Sequence, residues 1–399
     1  RINGELDKRI EYITYDSRKA TANSLYVCSS AFQVDGHKYA EDAVNKGAVA
    51  IISEKEINIG NEVTVIYVKD SRETLANISN EFYDHPSSKL KLIGITGTNG
   101  KTTCTYLIRS ILRKNGENAG LIGTINYEIN GEIVKSKNTT PESLDLQEML
   151  NNMVIKKVDT CVMEVSSHSL ALHRVDYLEF DIAVFTNITL DHLDFHKTFD
   201  EYLSSKLRLF SELGKNNTKT TNKCAVINID DENAKHFLKN SRHVNTITYG
   251  INNTAQVRAT DVVSSAEGLS FIMTYNNREI PISLKLRGSH NVYNALSSAA
   301  VGFALNIDDE IIKAGLEDLL SVPGRFDLIN TELGFSVIVD YAHTPDALER
   351  LLKSVRELNP KKIISVFGCG GDRDKSKRSI MGEISTRLAD YSIITENTA

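Results

Sequence analysis

The feature that most constrains the fold of this chain is the glycine-rich turn GTNGKTT at residues 97–103. The apolar run KLIGIT precedes it, and the amphipathic stretch TYLIRSILRKN follows it. A strand that enters a helix through such a turn aims several backbone N–H groups and the positive end of the helix dipole at one point. The turn therefore predicts an α/β sheet with an anion site where the helix begins.

Two side chains in this turn indicate which anion is bound. Lys101 can reach the β- and γ-phosphates of a nucleotide, and the Thr102 hydroxyl is positioned to ligate Mg²⁺, as in P-loop proteins. The spacing is a variant of the usual pattern, because Ile95 stands where the first glycine would be. We predict ATP binding; the alternative is an ordinary glycine-rich turn with a solvated lysine.

The alternation of β-branched runs with amphipathic stretches predicts three α/β domains. Residues 1–87 form a small unit that ends at the turn signal HPSS. Residues 88–322 predict a doubly wound parallel sheet, with antiparallel strands over 255–287 around a hairpin turn at Asn276-Asn277. In residues 323–399 the α/β pattern begins again and predicts a Rossmann-like domain, which we expect to be incomplete. We also expect both ends of the chain to be trimmed.

Composition and charge exclude several classes of protein. The net charge of -6 provides no general attraction for nucleic acid, and no apolar run is long enough to cross a membrane. The five cysteines show no C-x-x-C spacing, which argues against a disulfide framework and against a zinc site. We therefore expect a cytoplasmic protein that binds neither nucleic acid nor a membrane. A monomer is a separate expectation, which these observations do not decide.

Two further polar clusters follow predicted strands. Glu164 ends the strand TCVMEV, at the edge where open parallel sheets bind ligands, and is a candidate Mg²⁺ ligand. The strand IAVFTNI is followed by a crowded set of candidate ligands: Asn187, Asp191, His192, Asp194 and His196. Each cluster alone could be a surface carboxylate or a set of helix caps, and Thr198 or Asp200 is expected to cap the next helix.

In combination, these motifs resemble the Mur ligase family, and within it the MurE ligases. Besides GTNGKTT, the matching stretches are YDSRK (15–19), FQVDGHKYA (32–40), NTTPE (138–142), MEVSSHSLALHRV (163–175), TNITLDHLDFH (186–196), SSKLRLF (204–210), GSHNVYN (288–294), VPGRFD (322–327), DYAHTPD (340–346) and GCGGDRDKSKR (368–378). The resemblance spans nearly the whole chain in the expected order.

The resemblance implies an ATP- and Mg²⁺-dependent amide-bond ligase of peptidoglycan synthesis. Such an enzyme adds L-lysine or meso-diaminopimelate to UDP-N-acetylmuramoyl-L-Ala-D-Glu through an acyl phosphate. A catalytic set is implied: Lys101, His192, Lys206 and Arg325. The metal ligands implied are Thr102, Glu164, His192 and Lys206, the last as a carbamate formed with CO₂.

The resemblance also assigns binding residues. For ATP these are Gly97, Thr98, Asn99, Gly100, Lys101, Thr102, Thr103, Asn294, Arg325, Asp340 and His343. For the UDP-sugar peptide they are Ser17, Phe32, Gln33, Val34, Asn138, Thr139, Thr140, Ser166 and Arg174. For the incoming amino acid they are Arg373, Glu396 and Asn397.

Which amino acid is added stays open. Diaminopimelate-adding members carry D-N-P-R, where this chain reads Glu396-Asn397-Thr398-Ala399 without the arginine, and this mildly favours lysine. Two other functions also stay open. One is a different Mur-type ligase or a folylpolyglutamate synthetase-like enzyme, and the other is a nucleotide-regulated binding protein that lacks catalysis.

Overall fold

The computed structural model describes residues 1–29, 35–60, 62–215, 218–265, 267–370 and 377–397, with the main chain alone at 330, 370, 396 and 397. In chain order the strands are β1 (Ile2–Asn3), β2 (Tyr12–Thr14), β3 (Ser24–Val27), β4 (Ala48–Ser53), β5 (Thr64–Tyr67), β6 (Lys91–Thr96), β7 (Ala119–Ile122), β8 (Asn126–Ile129), β9 (Glu132–Lys135), β10 (Thr160–Glu164), β11 (Ile182–Phe185), β12 (Cys224–Asn228), β13 (Asn245–Gly250), β14 (Val257–Ser265), β15 (Gly268–Tyr275), β16 (Arg278–Leu284), β17 (Asp327–Asn330), β18 (Ser336–Val339), β19 (Ile364–Gly370) and β20 (Tyr391–Asn397). The α-helices are α1 (Ala40–Asn45), α2 (Ser71–Phe82), α3 (Lys101–Lys114), α4 (Ser143–Ile155), α5 (Ser167–Ala171), α6 (Leu193–His196), α7 (Phe199–Ser211), α8 (Ala234–Asn240), α9 (His290–Ala304), α10 (Asp309–Asp318), α11 (Pro345–Glu357) and α12 (Lys377–Leu388). The predicted α/β class is confirmed.

The chain forms two compact units. The first contains residues 1–89, 141–154 and 169–178, and the second contains residues 90–140, 155–168 and 179–399. Each unit therefore includes segments that are distant in sequence. The predicted division into three domains at 87/88 and 322/323 stays a prediction.

The first unit is built on a five-stranded sheet in the order β1-β5-β4-β3-β2. Strands β2 to β5 run parallel, and β1 pairs antiparallel with β5 at one edge. On β3, Tyr26 belongs to one buried cluster, whereas Leu25 and Val27 belong to another that includes Leu75 of α2. Because successive strand residues point to opposite faces, these strands are apolar on both sides, as a sheet covered on both faces requires.

The second unit contains an eleven-stranded sheet in the order β16-β15-β14-β13-β12-β11-β6-β10-β7-β8-β9. Its middle strands, from β7 through β10, β6, β11 and β12 to β13, run parallel. Antiparallel pairs extend both edges, through β8 and β9 on one side and through β15 and β16 on the other. The chain passes from β10 to β11 across β6, and ligands bind at the carboxyl ends of parallel strands at such a crossing.

Helices cover both faces of this sheet. On one face, Ile108 and Ile111 of α3 share a buried cluster with Leu296 of α9 and Ile312 of α10. On the other face, the Phe185 ring at the end of β11 stacks on Phe237 of α8, with ring centroids 3.6 Å apart. The strands between these layers are fixed by packing on both sides, which gives the loops at their carboxyl ends a rigid base.

The predicted hairpin at Asn276-Asn277 is confirmed. These residues join β15 to β16 and have φ angles of 49° and 62°. A two-residue hairpin turn of this kind needs positive φ at both central positions, which asparagine tolerates better than most residues.

The described residues of 327–370 and 377–397 contain two small sheets. Strands β17 and β18 pair antiparallel, and β19 and β20 pair parallel. Leu348 and Leu352 of α11 pack with Met381 and Ile384 of α12 in a separate buried cluster. None of the helices in the described part of the chain has the length and apolar character that a membrane span requires.

Candidate active site

The phosphate-loop sequence forms the predicted connection between β6 and α3. Its two glycines have φ angles of 149° (Gly97) and 89° (Gly100), which L-residues with a Cβ rarely adopt. A Cβ at Gly97 would collide with Thr186 and Asn187, and one at Gly100 would collide with the Asn294 side chain. Both glycines are therefore required by their backbone conformation and by their close neighbours. The first N–H groups of α3, which follow this turn, have no acceptors inside the helix.

Two lysines converge on one carbonyl of this loop. Lys101 Nζ donates to Gly97 O at 2.8 Å and to Thr98 O at 2.9 Å, and Lys206 Nζ donates to the same Gly97 O at 2.9 Å. Burial lowers the pKa of Lys101, and burial followed by the charge of Lys101 holds the pKa of Lys206 well below its ordinary value. An anion that binds beside these two amines would favour their protonated forms.

Lys206 lies on α7, which begins where the sequence predicted. The Thr198 side chain caps the helix by accepting from Glu201 N at 3.2 Å. One turn before Lys206, the buried Tyr202 ring lies under its amine, with Nζ 4.6 Å from the ring centroid. The Tyr202 hydroxyl meets Thr98 Oγ1 at 2.9 Å, so this helix contacts the phosphate loop directly.

Glu164 stands at the end of β10, as predicted. Its carboxylate accepts from Thr124 N at 2.7 Å and from Thr124 Oγ1 at 3.1 Å, in a position that is 1% exposed. The Thr140 hydroxyl donates to Glu164 O at 2.8 Å, and Thr139 Oγ1 lies 3.1 Å from Thr124 Oγ1. The loop after β7, the segment 138–140 and the end of β10 are thus joined around one buried carboxylate.

The loop after β11 brings His192 to the same edge of the sheet. His192 has a φ of 54° and its ring lies edge-on to His168, with centroids 4.7 Å apart. Burial, followed by the nearby charges of His168 and Lys101, lowers the pKa of His192. A neutral imidazole is the form that can bind a metal ion.

Asn187 in this loop faces the phosphate loop. Its Oδ1 accepts from Asn99 N at 3.0 Å, and its Nδ2 donates to Asn99 O at 3.1 Å. The side chain that the sequence grouped with candidate metal ligands is therefore engaged with a main-chain peptide.

Residues beyond 322 also reach the phosphate loop. Arg325 donates to Thr102 Oγ1 at 2.9 Å, and its guanidinium lies 4.7 Å from the centroid of the Tyr341 ring. Asp346 of α11 accepts from the Asn99 side chain at 3.0 Å. An arginine is thus held at the hydroxyl that the sequence predicted as a metal ligand.

The other residues assigned to ATP have well-defined partners. Asp340 accepts from Phe326 N at 2.7 Å and from Ala342 N at 2.8 Å, and burial raises its pKa. A ring nitrogen of His343 lies 2.9 Å from the carbonyl oxygen of Tyr341. Asn294 is buried on α9 and donates to Asn291 Oδ1 at 2.7 Å, so the two asparagines do share one face of the helix.

The residues assigned to the sugar and peptide divide between the two units. In the second unit, Asn138 O accepts from Tyr127 OH at 2.6 Å, and Ser166 Oγ lies 3.5 Å from Thr140 Oγ1. In the first unit, Ser17 O accepts from Lys46 Nζ at 3.3 Å.

Arg174, also in the first unit, was assigned to the UDP-sugar peptide. It pairs with Glu142 at 2.6 Å, and Glu142 also pairs with Arg72 at 3.2 Å. The guanidinium of Arg174 is therefore held in place by a carboxylate of the same unit.

Several predicted residues cannot be compared with the structure. Phe32, Gln33, Val34 and Arg373 lie outside the described residues, and only the main chains of Glu396 and Asn397, in β20, are described.

Sequence reasoning missed several contacts around the loop. Tyr202 could have been found from its i,i+4 spacing to Lys206, which places both on one face of a helix. Thr124 and Asp346 carry no such local signal, because they approach the site only through the fold.

The donors gathered here are mainly oxygen atoms. Within the described ranges, no three His, Cys, Asp or Glu side chains form a ready-made metal cage. The buried carboxylate of Glu164 and the hydroxyl of Thr102 nevertheless provide the hard oxygen ligands that suit Mg²⁺, and His192 provides a neutral nitrogen. The donor chemistry fits Mg²⁺ better than a soft metal.

Comparisons with known proteins find relatives that match successive parts of this chain. Three family models match: "Mur ligase family, catalytic domain" over residues 9–83, "Mur ligase middle domain" over 95–302 and "Mur ligase, glutamate ligase domain" over 324–399. The UDP-N-acetylmuramoyl-L-alanyl-D-glutamate–2,6-diaminopimelate ligase of Alkaliphilus oremlandii is 47% identical over 399 residues, which make up 100% of this chain and 80% of that protein.

Two further matches agree with this one. The protein of the same name from Clostridium botulinum is 47% identical over 398 residues, covering 98% of this chain and 80% of that protein. A solved structure described as a UDP-N-acetylmuramoyl-L-alanyl-D-glutamate–2,6-diaminopimelate ligase aligns with a TM-score of 0.76 at 28% identity, covering 98% of this chain and 80% of that one.

Proposed function

This chain belongs to the Mur ligase family, and we propose that it is an ATP-dependent, ADP-forming ligase that adds the third amino acid to UDP-N-acetylmuramoyl-L-Ala-D-Glu in peptidoglycan synthesis. The observation that carries the proposal is the convergence of Lys101, Lys206 and Arg325 on one phosphate loop. Three cationic or amine groups at a helix N-terminus suit phosphoryl transfer, which depends on positioning and charge neutralisation.

In this proposal the phosphate loop holds ATP. The N–H groups at the start of α3 and the Lys101 ammonium bind the β- and γ-phosphates, once Lys101 leaves its carbonyl partners. Asn294, Asp340 and His343 would bind the adenosine, and Arg325 would move from Thr102 to the γ-phosphate. An arginine that arrives with a closing segment neutralises charge and excludes water from a hydrolysable acyl phosphate.

Mg²⁺ is the metal that these donors suit. Thr102 and Glu164 would hold one ion, and His192 with Lys206 as a carbamate would hold a second. When bound, Mg²⁺ neutralises charge on the phosphoryl group in transfer. The burial of Lys206 supports the carbamate, because only a neutral amine captures CO₂ and burial disfavours the ammonium.

The reaction then has two steps. A carboxylate oxygen of the dipeptide's D-glutamate attacks the γ-phosphorus, and ADP leaves. The amine of the incoming amino acid attacks the acyl carbon, gives up a proton, and phosphate leaves with the electron pair of the broken C–O bond. The site must hold the acyl phosphate until the amine arrives, which explains the need to exclude water.

The remaining partners are assigned by resemblance. The UDP-sugar peptide would be bound by Ser17, Phe32, Gln33, Val34, Asn138, Thr139, Thr140, Ser166 and Arg174. The amino acid would be bound by Arg373, Glu396 and Asn397. The names of both relatives favour diaminopimelate, whereas the stretch at 396–399 lacks the expected arginine. We propose that the amino acid added is meso-diaminopimelate, with L-lysine as the alternative. We also propose that the protein is a cytoplasmic monomer that binds neither nucleic acid nor a membrane.

Phosphate release tests this proposal. The protein is incubated with ATP, Mg²⁺ and UDP-N-acetylmuramoyl-L-Ala-D-Glu, together with meso-diaminopimelate, L-lysine or no amino acid. Release that depends on one amino acid supports the ligase and names its acceptor. If the dipeptide substrate binds but no acceptor elicits release, a nucleotide-regulated binding protein becomes the better account.

A further inference from the structure

The side chain of Asn187 imitates a peptide group against the phosphate loop. Its carboxamide accepts from Asn99 N at 3.0 Å and donates to Asn99 O at 3.1 Å, so it satisfies both polar groups of one loop residue. Its own main chain accepts from Thr98 N at 2.8 Å. One residue thus engages two successive loop amides and one loop carbonyl.

These contacts divide the loop amides into two sets. The N–H groups of Thr98 and Asn99 are used by Asn187, whereas the first amides of α3 have no acceptor within the helix. The amides that remain available are therefore those at the N-terminus of α3, which is where a phosphate would bind. Gly97 lies directly against Asn187 as well, since a Cβ there would be 2.9 Å from Asn187 O.

Asn187 is itself held from the neighbouring strand. Asn228, at the end of β12, donates to Thr186 O at 2.8 Å, and Asp231 accepts from Ile188 N at 2.8 Å. The residues on both sides of Asn187 are therefore anchored. A side chain fixed in this way can impose its geometry on the loop instead of following it.

We infer that Asn187 is a positioning residue that acts on nucleotide binding through the phosphate loop. It sets the orientation of this loop without touching ATP or metal. The inference rests on the proposed nucleotide site. It assigns Asn187 a role other than that of a Mg²⁺ ligand, because both of its polar atoms are used by Asn99. Loss of the side chain should misplace the free amides and weaken phosphate binding more than it weakens the fold.

The test compares Asn187→Ala and Asn187→Leu with Asn118→Ala. The leucine variant keeps the volume of the side chain without its hydrogen bonds. Asn118 is a matched control, because its side chain also bonds a main-chain carbonyl, Lys157 O at 3.0 Å, but at the start of β7, away from the loop. Steady-state kinetics, ADP affinity by calorimetry and melting temperature are measured on the full chain.

We expect both Asn187 variants to lower kcat/KM for ATP by about tenfold or more and to weaken ADP binding in parallel, since misplaced binding groups lose their orientation. The KM for the UDP-dipeptide should not change, and Asn118→Ala should match the wild type. The inference is overturned if the leucine variant restores ATP affinity, if all three variants behave alike, or if only melting temperature falls. It is overturned too if neither Asn187 variant folds while Asn118→Ala does.

A wild-type protein without ligase activity would contradict the proposed function and not this inference. ADP affinity would then still be measured on all three variants, so the two outcomes are distinguished.

Discussion

At the scale of single residues, the site is defined by three basic side chains that gather around one turn of chain. Gly97 O accepts from both Lys101 and Lys206, and Arg325 donates to the adjacent Thr102. Burial lowers the pKa of both lysines, and the nearby charges of Arg325 on Lys101 and of Lys101 on Lys206 add to this effect. The arrangement gains stability when a phosphate or a carbamate arrives.

Lys206→Met tests the role of the buried amine. Methionine keeps the length and apolar body of lysine but cannot form a carbamate. We expect kcat to fall by about a hundredfold or more, because an electrostatic group at the transferring phosphoryl is lost. In CO₂-depleted buffer the melting temperature should hold or rise, since an amine costly to bury has been removed.

The control for this variant is Lys239→Met on the exposed face of α8, which should leave kcat unchanged. A Lys206→Met enzyme that retains most of its kcat would contradict the assigned role.

Gly100→Ala tests the shape of the phosphate loop. Gly100 has a φ of 89° and a Cβ there would meet the Asn294 side chain. Gly116, just after the same helix, has a φ of 80° and open space around a Cβ. Both alanine variants should lose about 1 kcal/mol of stability because of the positive φ, and Gly100→Ala should lose more because its methyl group meets the Asn294 side chain.

Only Gly100→Ala should also raise the KM for ATP, because the added methyl group displaces Asn294 and the loop. Urea denaturation and initial rates measure the two effects. Equal KM values in the two variants would show that the loop tolerates the added methyl.

At the scale of elements, α7 connects the phosphate loop to the amine that we expect to be carbamylated. Its first turn is fixed by Thr198, and Tyr202 and Lys206 follow on one face. The helix packs through Phe210 against Phe237 of α8, with ring centroids 5.1 Å apart. The position of Lys206 is therefore set by a cap at one end and by aromatic packing at the other.

Thr198→Ala should destabilise the protein by about 1 kcal/mol, because it removes an N-cap acceptor from Glu201 N. Thr198→Ser retains the hydroxyl and should keep most of that stability. Urea denaturation of both variants measures the difference. If serine and alanine cost the same, the cap contributes nothing and the loss has another cause.

At the scale of the whole molecule, a buried ionic cluster lies at the amino ends of the central strands of the large sheet, opposite the ends that carry the phosphate loop. Asp181 accepts from Lys219 and Lys223 at 2.7 Å each, from Thr221 at 2.6 Å and from Leu92 N at 2.8 Å. Burial alone would raise the pKa of Asp181, but the charge and hydrogen bonds of the lysines outweigh it and lower the pKa. The starts of β6 and β11 are joined through this carboxylate.

Asp181→Asn should cost about 3–5 kcal/mol, because it leaves two buried lysines without their counter-charge. A carboxylate with a lowered pKa contributes stability that is present above its unfolded pKa of about 3.9 and is lost as pH falls through the folded value. Wild-type stability should therefore decline below about pH 4, and the variant should lose part of that dependence.

Chemical denaturation across this acidic range measures the Asp181 effect. Glu132→Gln is the control, since its exposed pair with Lys156 should be worth about 0–1 kcal/mol. A similar loss in the two variants would contradict the cluster's role.

The sequence predicts those features that depend on local signals. The strand–turn–helix at 91–114, Glu164 at the end of its strand and the asparagine turn at 276–277 are all written in adjacent residues. The contacts of Arg325 with Thr102 and of Asp346 with Asn99 join residues more than 200 positions apart. No periodicity predicts such pairs, and Arg325 and Lys206 were identified through resemblance alone.

The most direct test of the central claim is the product itself. The full chain is incubated with ATP, Mg²⁺, UDP-N-acetylmuramoyl-L-Ala-D-Glu and meso-diaminopimelate, and the mixture is analysed by mass spectrometry alongside an assay for ADP. The account predicts a UDP-muramoyl tripeptide with the added residue, formed one for one with ADP. ADP formation without any tripeptide from either diaminopimelate or lysine would contradict it.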